Sequence, residues 1–495
     1  MAAELQRRGQ VRRAAALALV SALALALAGC ATLERQGELP QAPAVPPAAP
    51  RTVGVDALTT AEHKKLVAQF GGEYRWPSAE AYINAILVKL AAASDVPTTP
   101  YRVTILNTPV VNAFALPSGN LYMSRGLLAL ANDSSEVAAV MAHEIGHVTA
   151  RHAAARAERE KQAAIIASAA SVIQSRQKGE EVENNQRLSF AGFSRQQEIE
   201  ADKIGVAVIA RAGYDPYGAA RFLTSLGRST ALRAELLGQK TADKPDILAT
   251  HPSTPERVAQ ATAAARQIAA PGIGDSDRTG YLAAIDGMNF GEDPADGIVR
   301  GRRFLQPRLR FAFTAPENFV LDNTPRALLG RAPGGVEAVR LDSVPDNTGG
   351  GLDAYLSSGW LDGLLKSSVQ AGEINGMPAA FGLARAGEWN FRVAVVRKDG
   401  DIYRILFAAR AMDDATTARF DQAIQSFRPL TDDEAQKVKP LKLQVLKAGI
   451  GDNADSFGRK MAIVDRPLDV FLLLNGLQPG ASLKYGEQYK IVIDQ

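Results

Sequence analysis

Residues 143–147 read His-Glu-Ile-Gly-His, the pattern H-E-x-x-H, and this stretch decides the interpretation of the chain. Two histidines four positions apart on a helix lie one above the other on one face, so both imidazoles can reach a single metal ion. Glu144 would lie beside them, where a carboxylate can take a proton from a metal-bound water. The pattern therefore predicts a metal site that favours zinc, with His143 and His147 as ligands and Glu144 as general base.

The residues before the motif predict a buried helix. Asn132 and Asp133 are favourable N-cap residues, and Asp133 with Glu136 fits a capping box. Residues 137–142 are all apolar, so we expect the helix to be buried on most of its sides. Two imidazoles and a carboxylate are costly to bury without a partner, and a metal ion supplies one. The chain holds only five histidines, three of them within residues 143–152, which argues against a chance match.

Glu198 is the candidate for a third metal ligand. It stands four residues before Asp202 on a predicted helix, so the two carboxylates share one face. Glu198 would bind the metal, and Asp202 would accept a hydrogen bond from a ligand imidazole, which fixes the tautomer of that imidazole. Glu200 points away from this face and is expected to be solvated or ion-paired. Taken by itself, the segment also fits an ordinary charged helix, and that alternative stays open.

Together, these segments resemble peptidase family M48, a family of zinc metallopeptidases. The resemblance covers roughly residues 55–268 and rests on motifs in a fixed order, which are residues 111–119, 124–128, 143–152, 194–205 and 251–257. One departure is Ser118, where many relatives carry glycine, and it should alter a turn more than the chemistry. The fold that the resemblance implies is a mainly α-helical, zincin-like domain with a small sheet that has an edge strand.

The resemblance implies one Zn²⁺ per chain. His143, His147 and Glu198 would be its ligands, and Glu144 would be the catalytic base. His251 is similar to the family's downstream histidine, which would approach the metal or stabilise the oxyanion, and a structural place in its loop is the alternative. These assignments make the chain a zinc metalloendopeptidase.

Two more residues have supporting roles in this interpretation. Arg257 would hold the segment that carries His251 in place, by resemblance to the family. His152 stands five residues after His147, so it is rotated off the ligand face of a continuous helix and is expected to be structural.

The segments on either side of the motif helix carry predictions of their own. The stretch Asn112, Ala113, Phe114 and Ala115 is predicted to be an edge strand. In the family, such a strand can pair with an extended peptide substrate, a form of β-augmentation, and a plain core strand is the alternative. Residues 153–175 are predicted to continue as an Ala-rich helix, which fits either a lid over the cleft or a helix packed in the core.

The N-terminal residues predict export and lipidation. Residues 1–29 combine a basic start with a short Ala/Leu-rich stretch, which is too short for a spanning helix of about 20 residues and is typical of a signal peptide. Leu27-Ala28-Gly29-Cys30 resembles a bacterial lipobox, which implies cleavage before Cys30 and its acylation. Cys30 is the only cysteine, so no intramolecular disulfide can form. Residues 30–52 are rich in Pro and Ala and predict an extended tether.

The predicted fold is multi-domain, with the helical zincin-like domain at residues 53–268 followed by three segments. Residues 269–297 are rich in Gly, Asp and Pro and predict a linker. Residues 298–432 combine alternating strand patterns with a helix, which predicts an α+β domain of unknown role. Residues 440–495 resemble the end of a LysM-like module with βααβ order, and such modules bind glycan in peptidoglycan. A small packing module without a ligand is the alternative.

The formal net charge of +3 gives no argument for nucleic-acid binding.

We expect a zinc endopeptidase that hydrolyses misfolded or misassembled envelope polypeptides in the periplasm. The lipid on Cys30 would anchor it in a membrane, and Ala31 favours the inner face of the outer membrane, by resemblance to sorted lipoproteins. Two other functions stay open: a weakly proteolytic chaperone or assembly factor, and a peptidoglycan-binding adaptor that acts through its C-terminal module.

Overall fold

A computed structural model describes residues 60–158, 193–236, 251, 254–324, 327–347 and 349–494. The predicted signal peptide, Cys30, the tether and most of the predicted helix at 153–175 lie outside these residues. Among the described residues, the helices are all too short or too polar to cross a bilayer. The architecture is a helical region followed by a strand-rich region.

A small mixed sheet stands beside the first helices. Its elements are α1 (Thr60–Ala68), α2 (Pro77–Ala93), β1 (Arg102–Leu106), β2 (Ala113–Ala115) and β3 (Asn120–Ser124). The strand order is β1-β3-β2, with β1 parallel and β2 antiparallel to the central strand β3. The edge position predicted for residues 112–115 is therefore confirmed for β2.

Five helices complete the region that carries the H-E-x-x-H motif. They are α3 (Arg125–Leu130), α4 (Ser134–Thr149), α5 (Arg195–Arg211), α6 (Gly218–Leu236) and α7 (Pro255–Ile268). Helix α4 holds the motif, and every residue from Ser134 to His147 is buried, as the apolar run predicted. After a break at residues 150–151, residues 152–158 are helical again.

The start of α4 differs from the predicted capping box in one contact. The Asp133 side chain accepts a hydrogen bond from the backbone N–H of Glu136 at 3.0 Å, as predicted. The Glu136 carboxylate, however, accepts from the backbone N–H of Asn132 at 2.9 Å and not from that of Asp133. Both contacts satisfy donors at the start of the helix, so the site helix begins at a fixed residue.

The segment predicted to be a linker, residues 269–297, includes regular structure. It contains α8 (Arg278–Ile285) and β4 (Asn289–Phe290). Tyr281, Leu282 and Ile285 are fully buried, and the Tyr281 hydroxyl donates to the carbonyl oxygen of Leu128. The Gly, Asp and Pro residues at the ends of this segment led to the prediction of a linker, although the residues between them form a short helix with one apolar face.

The strand-rich region agrees with the predicted α+β class. A seven-stranded antiparallel sheet has the order β11-β12-β13-β14-β10-β9-β8, and a four-stranded sheet has the order β15-β7-β6-β5. The strands are β5 (Ile298–Arg300), β6 (Arg303–Gln306), β7 (Phe311–Thr314), β8 (Val320–Asn323), β9 (Leu328–Arg331), β10 (Glu337–Pro345), β11 (Gln370–Ile374), β12 (Met377–Ala386), β13 (Trp389–Lys398), β14 (Asp401–Ala409) and β15 (Arg428–Pro429). The helices are α9 (Leu352–Leu356), α10 (Asp414–Gln425) and α11 (Asp432–Lys437).

The last segment has the predicted βααβ order but not a separate core. It consists of β16 (Leu441–Lys447), α12 (Ala454–Gly458), α13 (Pro467–Leu474) and β17 (Gln488–Ile493). Strand β16 pairs with β17 and also with β4. The buried residues of this last segment, such as Phe471 and Ile491, belong to the same apolar core as Met141 of helix α4. The segment is thus part of the helical region's core, which corrects the expectation of an independent module.

Lys490 fixes this C-terminal segment to the end of α3. Its side chain is fully buried, and Nζ donates to the carbonyl oxygens of Ala129 and Ala131 at 2.8 and 2.5 Å. Burial lowers the pKa of this amine well below its usual value. The carbonyls at a helix C-terminus lack partners within the helix, so Lys490 supplies donors that the helix itself cannot.

We expect Lys490→Met to lower the free energy of unfolding by about 2 kcal/mol, because it leaves buried carbonyl oxygens without donors. Urea unfolding followed by circular dichroism measures the change. Lys447→Met is the matched control, since Lys447 is exposed on the neighbouring strand β16. Equal losses in the two variants would contradict the role of the buried amine.

Candidate active site

Four side chains from three parts of the chain meet at one point. His143 and His147 come from α4, Glu198 from α5 and His251 from the segment before α7, and one ligand atom of each lies within 4.8 Å of the others. The Nε2 atoms of His143 and His147 are 3.0 Å apart. His251 Nδ1 lies 3.3 Å from His143 Nε2 and 2.9 Å from a Glu198 carboxylate oxygen.

These separations suit a tetrahedral metal ion. Zinc bonds of about 2.0–2.1 Å in a tetrahedron place the ligand atoms about 3.3 Å from one another. The Glu198 oxygens lie 3.5 Å from His143 Nε2 and 3.6 Å from His147 Nε2, so the observed separations bracket that value. Imidazole nitrogens and a carboxylate oxygen are also the donor set that zinc favours.

Two glycines allow Glu198 to reach the histidines. Gly146 lies in the motif, and a Cβ atom there would come within 2.9 Å of the carbonyl oxygen of Ala201 on α5. Gly205 lies on α5, and a Cβ atom there would come within 3.1 Å of the His143 backbone nitrogen. Because neither residue has a side chain, α4 and α5 pack closely enough to bring their polar groups into one cluster.

A buried arginine organises the carboxylates. Arg257 contacts both oxygens of Asp202 at 2.7 Å and Glu198 Oε2 at 2.8 Å. Asp202 Oδ1 in turn lies 2.9 Å from Nδ1 of His143, the ring nitrogen that faces away from the cluster. The sequence suggested that Arg257 holds the segment that carries His251. In the structure Arg257 contacts Glu198, a member of the cluster, directly.

The electrostatics of the cluster follow from these contacts. Burial would lower the pKa of His143, but the Asp202 and Glu198 carboxylates outweigh it and raise that pKa to about 10. Burial would raise the pKa of Glu198, but His143 and His251 hold it well below its usual range. Without a metal ion, His143 is therefore protonated and positively charged, and Glu198 is negatively charged. A divalent cation that binds His143 would have to displace its proton.

The second ring nitrogen of His147 also has a partner. His147 Nδ1 lies 2.9 Å from Nδ1 of His152, and His152 Nε2 lies 3.3 Å from a Glu200 oxygen. The His147 ring stacks on Phe193 with centroids 4.0 Å apart. Burial and the charge of His143 lower the pKa of His147, which favours the neutral ring that binds metals. His152 is thus not a member of the cluster, but it lies against His147 and would fix the orientation of its ring.

Glu144 is buried beside the cluster and is not one of its four members. It is 3% exposed, and one of its oxygens lies 3.6 Å from His251 Nε2. It lines a pocket next to the cluster, together with His143 and His251. A carboxylate in this position can exchange a proton with a molecule that enters the pocket.

The pocket lies between β2 and α6, and its empty space of about 750 Å³ includes open solvent at its mouth. Val111 and Ala113 line it on the strand side, and Phe222, Leu223 and Leu226 line it on the helix side. The sequence interpretation missed the residues of α6. Their spacing of one to four positions was a visible signal of an apolar helix face, but it did not show what that face meets.

Comparison with known proteins gives a match over the same region. Residues 77–265 match the model of the family "Peptidase family M48". The Beta-barrel assembly-enhancing protease of Escherichia coli strain K12 is 32% identical over 219 residues, which are 42% of this chain and 43% of that protein. The Mitochondrial metalloendopeptidase OMA1 of Arabidopsis thaliana is 36% identical over 169 residues, which are 34% of this chain and 32% of that protein. The chain therefore spans less than half the length of each of these two relatives.

Likeness to solved structures is low. A solution structure of PsbP from the cyanobacterium Synechocystis is 15% identical, covers 28% of this chain and 98% of that chain, and has a TM-score of 0.22. A crystal structure from Bacteroides thetaiotaomicron is 14% identical, covers 29% of this chain and 53% of that chain, and also has a TM-score of 0.22. Scores at this level support no argument about fold or function.

Proposed function

We propose, from the peptidase family M48 domain that residues 77–265 form, that the chain is a zinc-dependent endopeptidase. The observation that carries the proposal is the buried cluster of His143, His147, Glu198 and His251, with Glu144 beside it. A surface helix with solvated histidines would not bring a carboxylate from another helix to within 4 Å of both rings. His143, His147 and Glu198 would hold one zinc ion, and Asp202 and Arg257 would orient them.

The residues of the pocket fit peptide hydrolysis. A bound zinc ion would act as a Lewis acid and lower the pKa of a bound water to about 7. Glu144 would take a proton from that water and deliver it to the leaving amine. Glu144 is suited to this role because it faces the pocket from the same helix turn as the two histidine ligands.

His251 has two roles in this proposal, one for each of its ring nitrogens. Its Nδ1 atom stands with the other three ligand atoms, where a catalytic water would otherwise bind. Its Nε2 atom is directed to Glu144 at 3.6 Å. We infer that His251 would be a fourth ligand of a bound zinc ion in the arrangement seen here, and that it could instead donate a hydrogen bond to the oxyanion formed from a substrate.

Strand β2 is the proposed docking edge for the substrate backbone. Ala113, Phe114 and Ala115 pair with β3 on one side only, so their other side is a sheet edge. An extended peptide could continue the sheet at this edge, next to the pocket. Unfolded polypeptides meet this requirement because their backbones are free to extend, whereas those of folded proteins are already paired.

For the whole protein we infer a place in the bacterial envelope. The lipobox-like Leu27-Ala28-Gly29-Cys30 supports a lipid anchor on Cys30 at the inner face of the outer membrane. The name of the Escherichia coli relative, an assembly-enhancing protease for β-barrels, supports misfolded or misassembled envelope polypeptides as substrates. The proposed zinc ligands and the proposed base Glu144 all lie together at the cluster, which weighs against a weakly proteolytic chaperone. The shared core of residues 441–493 weighs against a free peptidoglycan-binding adaptor.

The test is metal content measured together with hydrolysis of casein by the purified chain from residue 31 onward. We expect about one zinc ion per chain, loss of hydrolysis after a chelator, and recovery after zinc is added back. Thermal unfolding gives a second measurement. A tightly bound metal stabilises the folded state, so its removal should lower Tm. Undiminished hydrolysis by metal-free protein would refute the proposal.

A further inference from the structure

The pocket beside Glu144 has walls of different chemistry. One wall is polar and consists of the reactive groups His143, Glu144 and His251. The rest is mostly apolar and is formed by Val111, Ala113, Leu127, Ala139, Val140, Ala219, Phe222, Leu223 and Leu226.

The apolar surface lies directly next to the reactive groups. Ala139 stands four residues before His143, and Val140 stands four residues before Glu144, so each pair shares one face of α4. A group that packs on Ala139 and Val140 is therefore one helical turn, about 5 Å, from the proposed base. Only a residue that flanks the scissile bond can place its side chain there while its carbonyl group is at the cluster.

The charged residues in the lining do not favour a charged occupant. Arg257 is paired with Asp202 and Glu198, and Asp202 is also paired with His143. A charged substrate side chain in this pocket would lose its hydration and would have to compete with an existing ion pair. An aliphatic or aromatic side chain has no such cost and gains from the removal of its surface from water.

We propose that this pocket binds a large apolar side chain, of the leucine, methionine or phenylalanine class, from a residue adjacent to the scissile bond. Leu223 and Leu226 on α6 set the depth and the width of the pocket, because they face α4 across it. The inference rests on the proposed peptidase function and adds the side-chain class that the site selects.

The test compares peptides that differ only at one residue beside the scissile bond. Cleavage of a peptide library, mapped by mass spectrometry with zinc-loaded protein, should give sites enriched in leucine, methionine or phenylalanine at one flanking position. Their kcat/KM should exceed that of alanine peptides by about ten-fold or more, since methylene groups in apolar pockets discriminate by about 10–200-fold.

Leu226→Trp should narrow the pocket and reduce the preference for leucine over alanine peptides about ten-fold. Thr224→Trp is the matched control, because Thr224 is exposed on the same helix and does not line the pocket. Circular dichroism and Tm establish that both variants fold. If Leu226→Trp does not fold, the exposed mouth residue Thr230, replaced by Trp, takes its place.

A binding measurement separates this inference from the peptidase proposal. The zinc-loaded Glu144→Gln chain should bind a leucine peptide about ten-fold more tightly than the matched alanine peptide, whether or not the wild-type chain hydrolyses either. Equal binding of the two peptides, or cleavage without preference for apolar residues, would overturn the pocket assignment. Selective binding without any wild-type hydrolysis would overturn the peptidase proposal alone.

Discussion

Glu144→Gln should lower kcat on an unfolded protein substrate about 1,000-fold while the zinc content stays unchanged. The amide cannot accept a proton from water, and a positioned general base contributes about 10²–10⁴-fold to such reactions. Glu144 is not among the four residues whose ligand atoms form the cluster, so the metal should remain bound. Hydrolysis of casein and metal analysis of the same preparation measure both effects.

Glu256→Gln is the matched control for this substitution. Glu256 lies at the start of α7, close to the site in sequence, and its carboxylate pairs with Arg195. The same chemical change there should leave kcat within about two-fold, because Glu256 is partly exposed, its partner Arg195 is exposed, and such pairs contribute little. A Glu144→Gln chain that keeps full activity would rule out Glu144 as the base.

His147→Ala should remove both zinc and activity. The substitution deletes one of the three ligands proposed to hold the zinc ion throughout the reaction, and it removes one of the four members of the cluster. Loss of an orienting partner alone costs about 10–100-fold in metal affinity, so we expect loss of a ligand to cost at least about 100-fold. Competition with a coloured chelator measures the affinity, and Tm with and without zinc shows whether binding still stabilises the fold.

His63→Ala controls for the general effect of a lost histidine. His63 bonds to Tyr122 and Glu73 beside the small sheet, so it has its own structural contacts. This variant should keep its zinc even if its Tm falls. Should His147→Ala bind zinc as tightly as His63→Ala does, His147 would not be a ligand.

The sequence predicted the cluster well where the information is local. Two imidazoles four residues apart and two carboxylates four residues apart each define one face of one helix, whatever the rest of the chain does. The structure places His143 and His147 opposite Glu198, and Asp202 against the far nitrogen of His143. The approach of the two helices was not predicted, because it depends on Gly146 and Gly205 facing each other's helix.

His152 shows how a helical rule fails when the helix ends. The prediction assumed one continuous helix, in which a residue five positions on points away from the ligand face. Helix α4 ends at Thr149, and Arg151 has a left-handed φ of 56°. The chain turns there, so His152 returns to within 2.9 Å of His147. A left-handed arginine has no sequence signal comparable to that of glycine.

The domain boundaries were the weakest part of the sequence interpretation. Composition separates polar, Gly-rich and Pro-rich stretches from apolar ones, but it does not report which apolar faces pack together. Tyr281 in the predicted linker and Phe471 in the predicted C-terminal module are both buried in the core of the motif helix. Contacts of this range are decided by the whole fold, and no local pattern contains them.

The position of Lys490 has a consequence for the order in which the chain completes its core. The amine that caps the helix before the catalytic one lies 361 residues downstream of Ala129. A chain that emerges N-terminus first presents both motif histidines long before this cap arrives. The apolar core around the motif helix is therefore completed only after nearly the whole chain has been synthesised, because residues of the last strand belong to it.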